Sequence, residues 1–126
     1  MSLRILIIDD SEMIRRIVGT IVRSRDWTVC GEAEGGWSGV KKFQELMPDL
    51  VLLDLAMPDM NGIEAARLMS AIDPTVPLVM LTALKLDGLE RAARNAGVCS
   101  IVSKSECWNL LTSIETAVTE SKRFIQ

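Results

Sequence analysis

Five side chains in this sequence have the types and positions that charged-ligand chemistry requires: Asp9, Asp10, Asp54, Thr82 and Lys104. Each stands at, or just beyond, the carboxyl end of a short apolar run. Leu3–Ile8 precedes Asp9-Asp10, Leu50–Leu53 precedes Asp54, Pro77–Leu81 precedes Thr82, and Val98–Val102 precedes Ser103-Lys104. If those runs are neighbouring parallel strands, three carboxylates, a hydroxyl and an ammonium meet at one sheet edge, the edge where open α/β sheets form their ligand crevices. Carboxylates so close repel, and one would be driven to hold a proton unless a cation relieves it. Lys104 is one such cation and a bound divalent ion is another. An oxygen-only donor set favours Mg2+ or Mn2+ over zinc. A carboxylate can also act as a nucleophile toward phosphorus, giving an aspartyl phosphate. Lys104 and the Thr82 hydroxyl would then bind the remaining phosphoryl oxygens. Taken alone, Asp54 has the plainer reading of a residue that ends a strand or caps the next turn; five such groups together do not.

For these groups to meet, the chain must supply strands and crossovers in alternation. Leu50-Val51-Leu52-Leu53, bounded by Pro48-Asp49 and by the Pro58…Gly62 turn, reads as a strand buried on both faces. Trp27–Ala33 is a further strand. Between the strands, Ser11 is a credible cap for a helix with Met13, Ile14, Ile17, Val18, Ile21 and Val22 as its apolar stripe. A second helix runs from about Trp37 to Leu46 with Val40 and Phe43 inward and Trp37 partly buried, and Met47-Pro48 stops it. A third runs from Gly62 to about Ile72, with Ile63, Ala66 and Met69 on one face, and Asp73-Pro74 breaks it. A fourth is expected over Leu86–Asn95, burying Leu89, Ala92 and Ala93, with Gly97 as its left-handed stop. The fifth, Glu106–Glu120, turns Trp108, Leu111, Ile114 and Val118 inward. Residues 121–126 read as a frayed tail or the start of a linker, leaving 1–120 as one domain. Strands and helices in alternation give a parallel sheet covered on both faces by right-handed crossovers.

Bulk properties narrow the function. A chain of 126 residues with 48% hydrophobic and 25% charged residues suits one soluble domain. No apolar run approaches the roughly 20 residues needed to cross a bilayer, and no signal peptide is expected before the first strand. A net charge of −3 gives no long-range attraction to nucleic acid. Cys30, Cys99 and Cys107 lack metal-ligand spacing and read as reduced thiols of a cytoplasmic protein, with Cys30 and Cys99 in core packing. There is no histidine, which excludes His-based triads, His-containing zinc sites and a histidine phosphodonor within the chain.

The motifs Ile7-Ile8-Asp9-Asp10-Ser11, Asp54-Leu55-Ala56-Met57-Pro58-Asp59-Met60-Asn61-Gly62, Leu81-Thr82-Ala83 and Lys104 make the chain resemble, over nearly its whole length, the receiver domains of two-component response regulators. The resemblance implies a flavodoxin-like α/β fold, a five-stranded parallel sheet in the order 2-1-3-4-5 flanked by five helices. It implies that Asp54 accepts a phosphoryl group from a sensor histidine kinase or a histidine phosphotransfer protein. Asp10, Asp54 and the Ala56 carbonyl would bind Mg2+, Asp9 would act mainly through a metal-bound water, and Thr82 and Lys104 would hold the phosphoryl oxygens. No turnover enzyme is implied, only self-phosphorylation and slow dephosphorylation at Asp54. Binding to nucleic acid or membrane by this segment is not implied either.

The resemblance also implies a switch. Thr82 swings toward the new phosphate and the residue three before Lys104 fills the vacated space, so that the face of the fourth helix, fifth strand and fifth helix controls an output domain, a downstream protein or a homodimer. That residue is Ile101, where the family usually has Tyr or Phe. Lys104-Ser105 replaces the frequent Lys-Pro, which together with Asn61–Arg67 resembles the subgroup with LuxR-like output. Ala56 and Leu84 occupy positions that tune acyl-phosphate hydrolysis in the family. A phosphorylation-independent pseudo-receiver is the main rival, but such proteins typically lose an acidic residue or the lysine. A haloacid dehalogenase-type phosphatase would need Asp-x-Asp where Asp9-Asp10-Ser11 stands, and a flavin protein would need a phosphate-cradling loop there.

Overall fold

The computed structural model describes residues 2–83 and 88–124. Its sheet has five parallel strands in the order β2-β1-β3-β4-β5: β1 (Arg4–Ile8), β2 (Thr28–Ala33), β3 (Leu50–Asp54), β4 (Leu78–Thr82) and β5 (Val98–Ser103). The helices are α1 (Glu12–Arg23), α2 (Gly36–Leu46), α3 (Gly62–Ile72), α4 (Glu90–Asn95) and α5 (Leu110–Glu120). The flavodoxin-like sheet and strand order expected from the motifs are therefore present.

Side chains alternate across a strand, and this divides the core in two. Leu6, Ile8, Val51, Leu53, Leu78 and Met80 face α2, α3 and α4, where Phe43, Ile63, Ala66, Met69 and Ala93 meet them. Ile5, Ile7, Leu50, Leu52, Val79 and Leu81 face α1 and α5, against Val18, Val22, Leu110, Ile114 and Ala117. Every residue of β3 and β4 is buried, as central strands covered on both faces should be.

Helix ends follow their sequence signals. Ser11 caps α1 by accepting from the Ile14 amide at 3.3 Å, and Asn61 caps α3 by accepting from Glu64 at 3.0 Å. Gly97 takes φ +106° after α4, where a Cβ would fall on the Ser70 hydroxyl.

Several apolar expectations are corrected. Trp108 is 74% exposed rather than inward, because Lys104–Asn109 form a 3-10 turn with a non-helical residue at Glu106. That change of phase makes Leu110, Ile114 and Ala117 the buried residues of α5, and Leu111 only half-buried. Trp37 is 63% exposed: it lies in the first turn of α2, before the inward positions Gly39 and Phe43. Met13 and Ile17 lie outside the strip of α1 that Val18 and Val22 bury, and both are exposed. Leu89 precedes the short α4 and is exposed; the expected helix start at Leu86 lies outside the described residues. Cys99 is exposed on the edge strand β5, its thiol donating to the Leu78 carbonyl, and Cys30 is half-buried on the opposite edge strand. The tail is not frayed as far as Phe124. Lys122–Phe124 make one 3-10 turn, Arg123 pairs with Asp49 and Asp73 at 3.7 and 3.3 Å, and Phe124 packs against the α1/α5 core.

Candidate functional site

Strand register brings the chemistry together. Ile8 pairs with Leu53, so Asp9 follows alongside Asp54; Asp54 pairs with Leu81, and Thr82 pairs with Ser103, the residue before Lys104. The groups anticipated at four strand ends thus share one edge of β1, β3, β4 and β5.

Asp9, Asp54 and Thr82 are buried there and Asp10 is exposed. One carboxylate oxygen from each of Asp9, Asp10 and Asp54 lies within 4.8 Å of the others. Lys104 Nζ stands 2.8 Å from Asp9 Oδ2 and 3.1 Å from Asp54 Oδ1, bridging the two buried acids. Asp9 is oriented locally: its Oδ1 accepts from the Ser11 amide at 2.9 Å, and its main-chain N–H donates to Ala33 O at 3.0 Å. Its Oδ2 is close to the ammonium but receives no well-directed hydrogen bond.

Electrostatics follow from this crowding. Burial drives the Asp54 carboxyl up from its ordinary 3.8, the Asp9 charge adds to it, and Lys104 only partly opposes them, so Asp54 is pushed up to about 6. Burial also acts to lower Lys104, but the Asp9 and Asp54 carboxylates outweigh it and hold the ammonium above its ordinary 10.5. Three carboxylates against one ammonium leave the cluster under-neutralised. An all-oxygen donor set, a poorly directed buried Asp9 oxygen and an exposed Asp10 together fit a hard divalent cation.

Of the other residues expected here, Ala56 is exposed in the loop after β3. Ile101 is half-buried in β5, packed against the core on the α2–α4 side. Leu84 lies outside the described residues. No peptide bond among the described residues is cis.

Two hydrogen-bonded arrangements in the loops around the site were not anticipated. Ser103 Oγ lies 2.8 Å from Ser105 Oγ and accepts from the Ser105 amide, while the Cys107 thiol donates to Lys104 O at 3.0 Å. Lys104 thus sits in a side-chain-capped turn. Asp59, in the loop after β3, accepts from the Gly36 and Trp37 amides at 2.9 and 3.0 Å. For the second, the sequence shows only that the Gly35-Gly36 start of α2 has no capping side chain of its own, which does not name its partner. A cleft of about 600 Å3 lined by α1, β2 and α2 is separate from the acid cluster. Its Arg15 and Arg16 are already paired with Glu32 and Glu12.

A family model described as response regulator receiver domain matches residues 5–115. The chemotaxis protein CheY of Listeria monocytogenes is 37% identical over 102 residues, covering 81% of this chain and 86% of that protein. The crystal structure of the response regulator domain of Thermotoga maritima CheB superposes with a TM-score of 0.85 at 30% identity, covering 93% of this chain and 96% of that one. A LuxR-family two-component response regulator from Aurantimonas superposes at 0.89 with 25% identity, covering 98% of this chain and 93% of that one.

Proposed function

The chain belongs to the response regulator receiver domains, phosphoacceptor modules of two-component signalling, and on that footing we propose that Asp54 is the side chain that receives the phosphoryl group. A carboxylate oxygen of Asp54 attacks the phosphorus of a phosphohistidine. The P–O bond forms as the P–N bond breaks, and the departing imidazole keeps the electron pair and takes up a proton. These 126 residues contain no histidine, so the donor lies outside them, on a sensor histidine kinase or a histidine phosphotransfer protein.

Lys104 and Thr82 take the phosphoryl oxygens, the ammonium exchanging part of its hold on Asp54 for the new charge. Asp10, Asp54 and the Ala56 carbonyl are the groups that would hold Mg2+, with Asp9 acting through a metal-bound water. When bound, Mg2+ supplies positive charge against the phosphoryl oxygens. Thr82 then draws toward the phosphate, Ile101 shifts into the space behind it, and the face made by α4, β5 and α5 changes the affinity for an output domain or downstream protein. Residues 1–120 carry this function and 121–126 lead out of it. No described helix is long and apolar enough to cross a membrane, and we assign the exchange to the cytoplasm, where three unpaired cysteines stay reduced.

The observation that carries this reading is Asp54 held 3.1 Å from Lys104 within a three-carboxylate cluster. Incubation with Mg2+ and acetyl phosphate, followed by intact mass, is expected to add one phosphoryl group to the wild type and none to Asp54→Asn. Uptake that survives Asp54→Asn moves the acceptor elsewhere. No uptake by the wild type favours a module that works without phosphorylation.

A further inference from the structure

The loop that carries Ala56 is fixed at its two ends by main-chain hydrogen bonds, one of them to β4. Leu55 N donates to Leu81 O at 3.4 Å, Gly62 N closes back onto Leu55 O at 2.7 Å, and Asn61 caps α3. Ala56 itself has no side chain that could anchor it. Between those ends Asp59 reaches across to α2, each of its carboxylate oxygens accepting one of the first two helical amides, Gly36 and Trp37. Helix α2 lacks both a capping side chain and an acid in its first turn, so Asp59 supplies the acceptor and the negative charge that a helix start favours. These two amide hydrogen bonds hold the Asp59 carboxyl below its ordinary value. The fit is close because α2 begins with glycine. A Cβ on Gly35 would lie 2.9 Å from Asp59 Oδ1, and one on Gly36 would lie 2.8 Å from the Met60 Cβ.

We propose that Asp59 is a positioning residue for the cation site: its carboxylate, seated on the start of α2, fixes the loop from Leu55 to Asn61 and with it the Ala56 carbonyl offered to Mg2+. Asp59 is not a ligand, since the amides of α2 occupy both of its oxygens. The inference rests on the phosphoacceptor reading above and adds to it a coupling between α2 and the metal site.

Two variants of the full chain test it. Asp59→Asn removes the charge and one of the two acceptors while keeping the shape. Gly35→Ala keeps the charge and displaces the carboxylate; Gly35 has φ −155°, which alanine adopts without strain. Mg2+ affinity is read by titration calorimetry without phosphodonor, and labelling by acetyl phosphate is read separately, with urea midpoints recorded for each variant. Both variants are expected to weaken Mg2+ binding about tenfold, the scale at which groups that orient metal ligands act. Labelling at saturating Mg2+ is expected to recover. Weakening in Asp59→Asn alone would mean that only the charge matters and would overturn the proposal, as would affinities within twofold of the wild type in both variants. Wild-type protein that takes up neither Mg2+ nor a phosphoryl group overturns the phosphoacceptor reading and the clamp with it. Wild type that takes up both, beside unchanged variants, removes the clamp alone.

Discussion

At the scale of single residues, the raised Asp54 carboxyl ties chemistry to stability. An acid whose folded-state value lies above its unfolded value binds more protons when folded, so it makes the metal-free protein less stable as pH rises from about 4 to about 6. Asp54→Asn, which cannot ionise, is therefore expected to be more stable than the wild type at pH 7 without Mg2+, by up to about 3 kcal/mol, and nearly equal to it at pH 4. Urea denaturation at both pH values checks this. Saturating Mg2+ should narrow or reverse the difference at pH 7, because it binds the charged carboxylate more tightly than the neutral amide. A second expectation concerns Ala56, whose side chain offers nothing to orient an attacking water. Ala56→Asn should speed loss of the phosphoryl group severalfold, measured as decay of radiolabelled protein. The convergence of the five polar residues at one sheet edge was legible because each follows an apolar run whose length marks a strand. Asp59 was not, because its partners are main-chain amides 22 and 23 positions away and composition does not reveal such a pairing.

At the scale of elements, the sharpest packing constraint lies where α3 begins. A Cβ at Gly62 would fall on the Asp54 carbonyl oxygen and lie 3.0 Å from the Leu55 Cα, and neither backbone atom can move aside cheaply. Gly62→Ala should cost at least about 2 kcal/mol and should also displace Asp54, so labelling ought to fall together with the urea midpoint. Strand and helix existence was readable from apolar period and from the Pro, Gly and Asn punctuation. Helix phase was not readable everywhere. Trp108 carries the pattern of an inward residue only if the helix runs unbroken from Glu106, and the 3-10 turn ahead of α5 breaks that premise. Trp37 and Met13 show the same limit, since an apolar side chain in the first turn of a helix can lie beside the buried strip rather than within it.

At the scale of the whole molecule, the tail closes the end of the sheet opposite the acid cluster. Arg123 ties it to Asp49 before β3 and to Asp73 before β4, and Ser121 Oγ donates to Thr75 O. Partly exposed ion pairs contribute little, so most of any effect rests on Phe124 against the α1/α5 core. Ending the chain at Glu120 is expected to lower stability by about 1–2 kcal/mol while leaving acetyl-phosphate labelling intact. Urea midpoint and intact mass read the two outcomes independently, and loss of labelling would move the domain boundary beyond 120. The contrast between strands carries a further consequence. Asp54 and Thr82 stand on β3 and β4, wholly enclosed, whereas β5 is a partly open edge strand and its neighbour α4 is only six residues long. Asp54 and Thr82 are thus mounted on a fully packed keel, and the adjoining flank is the less enclosed one. A disturbance arising at the keel would be borne outward by the planks with least to hold them, and amide exchange would register it there first.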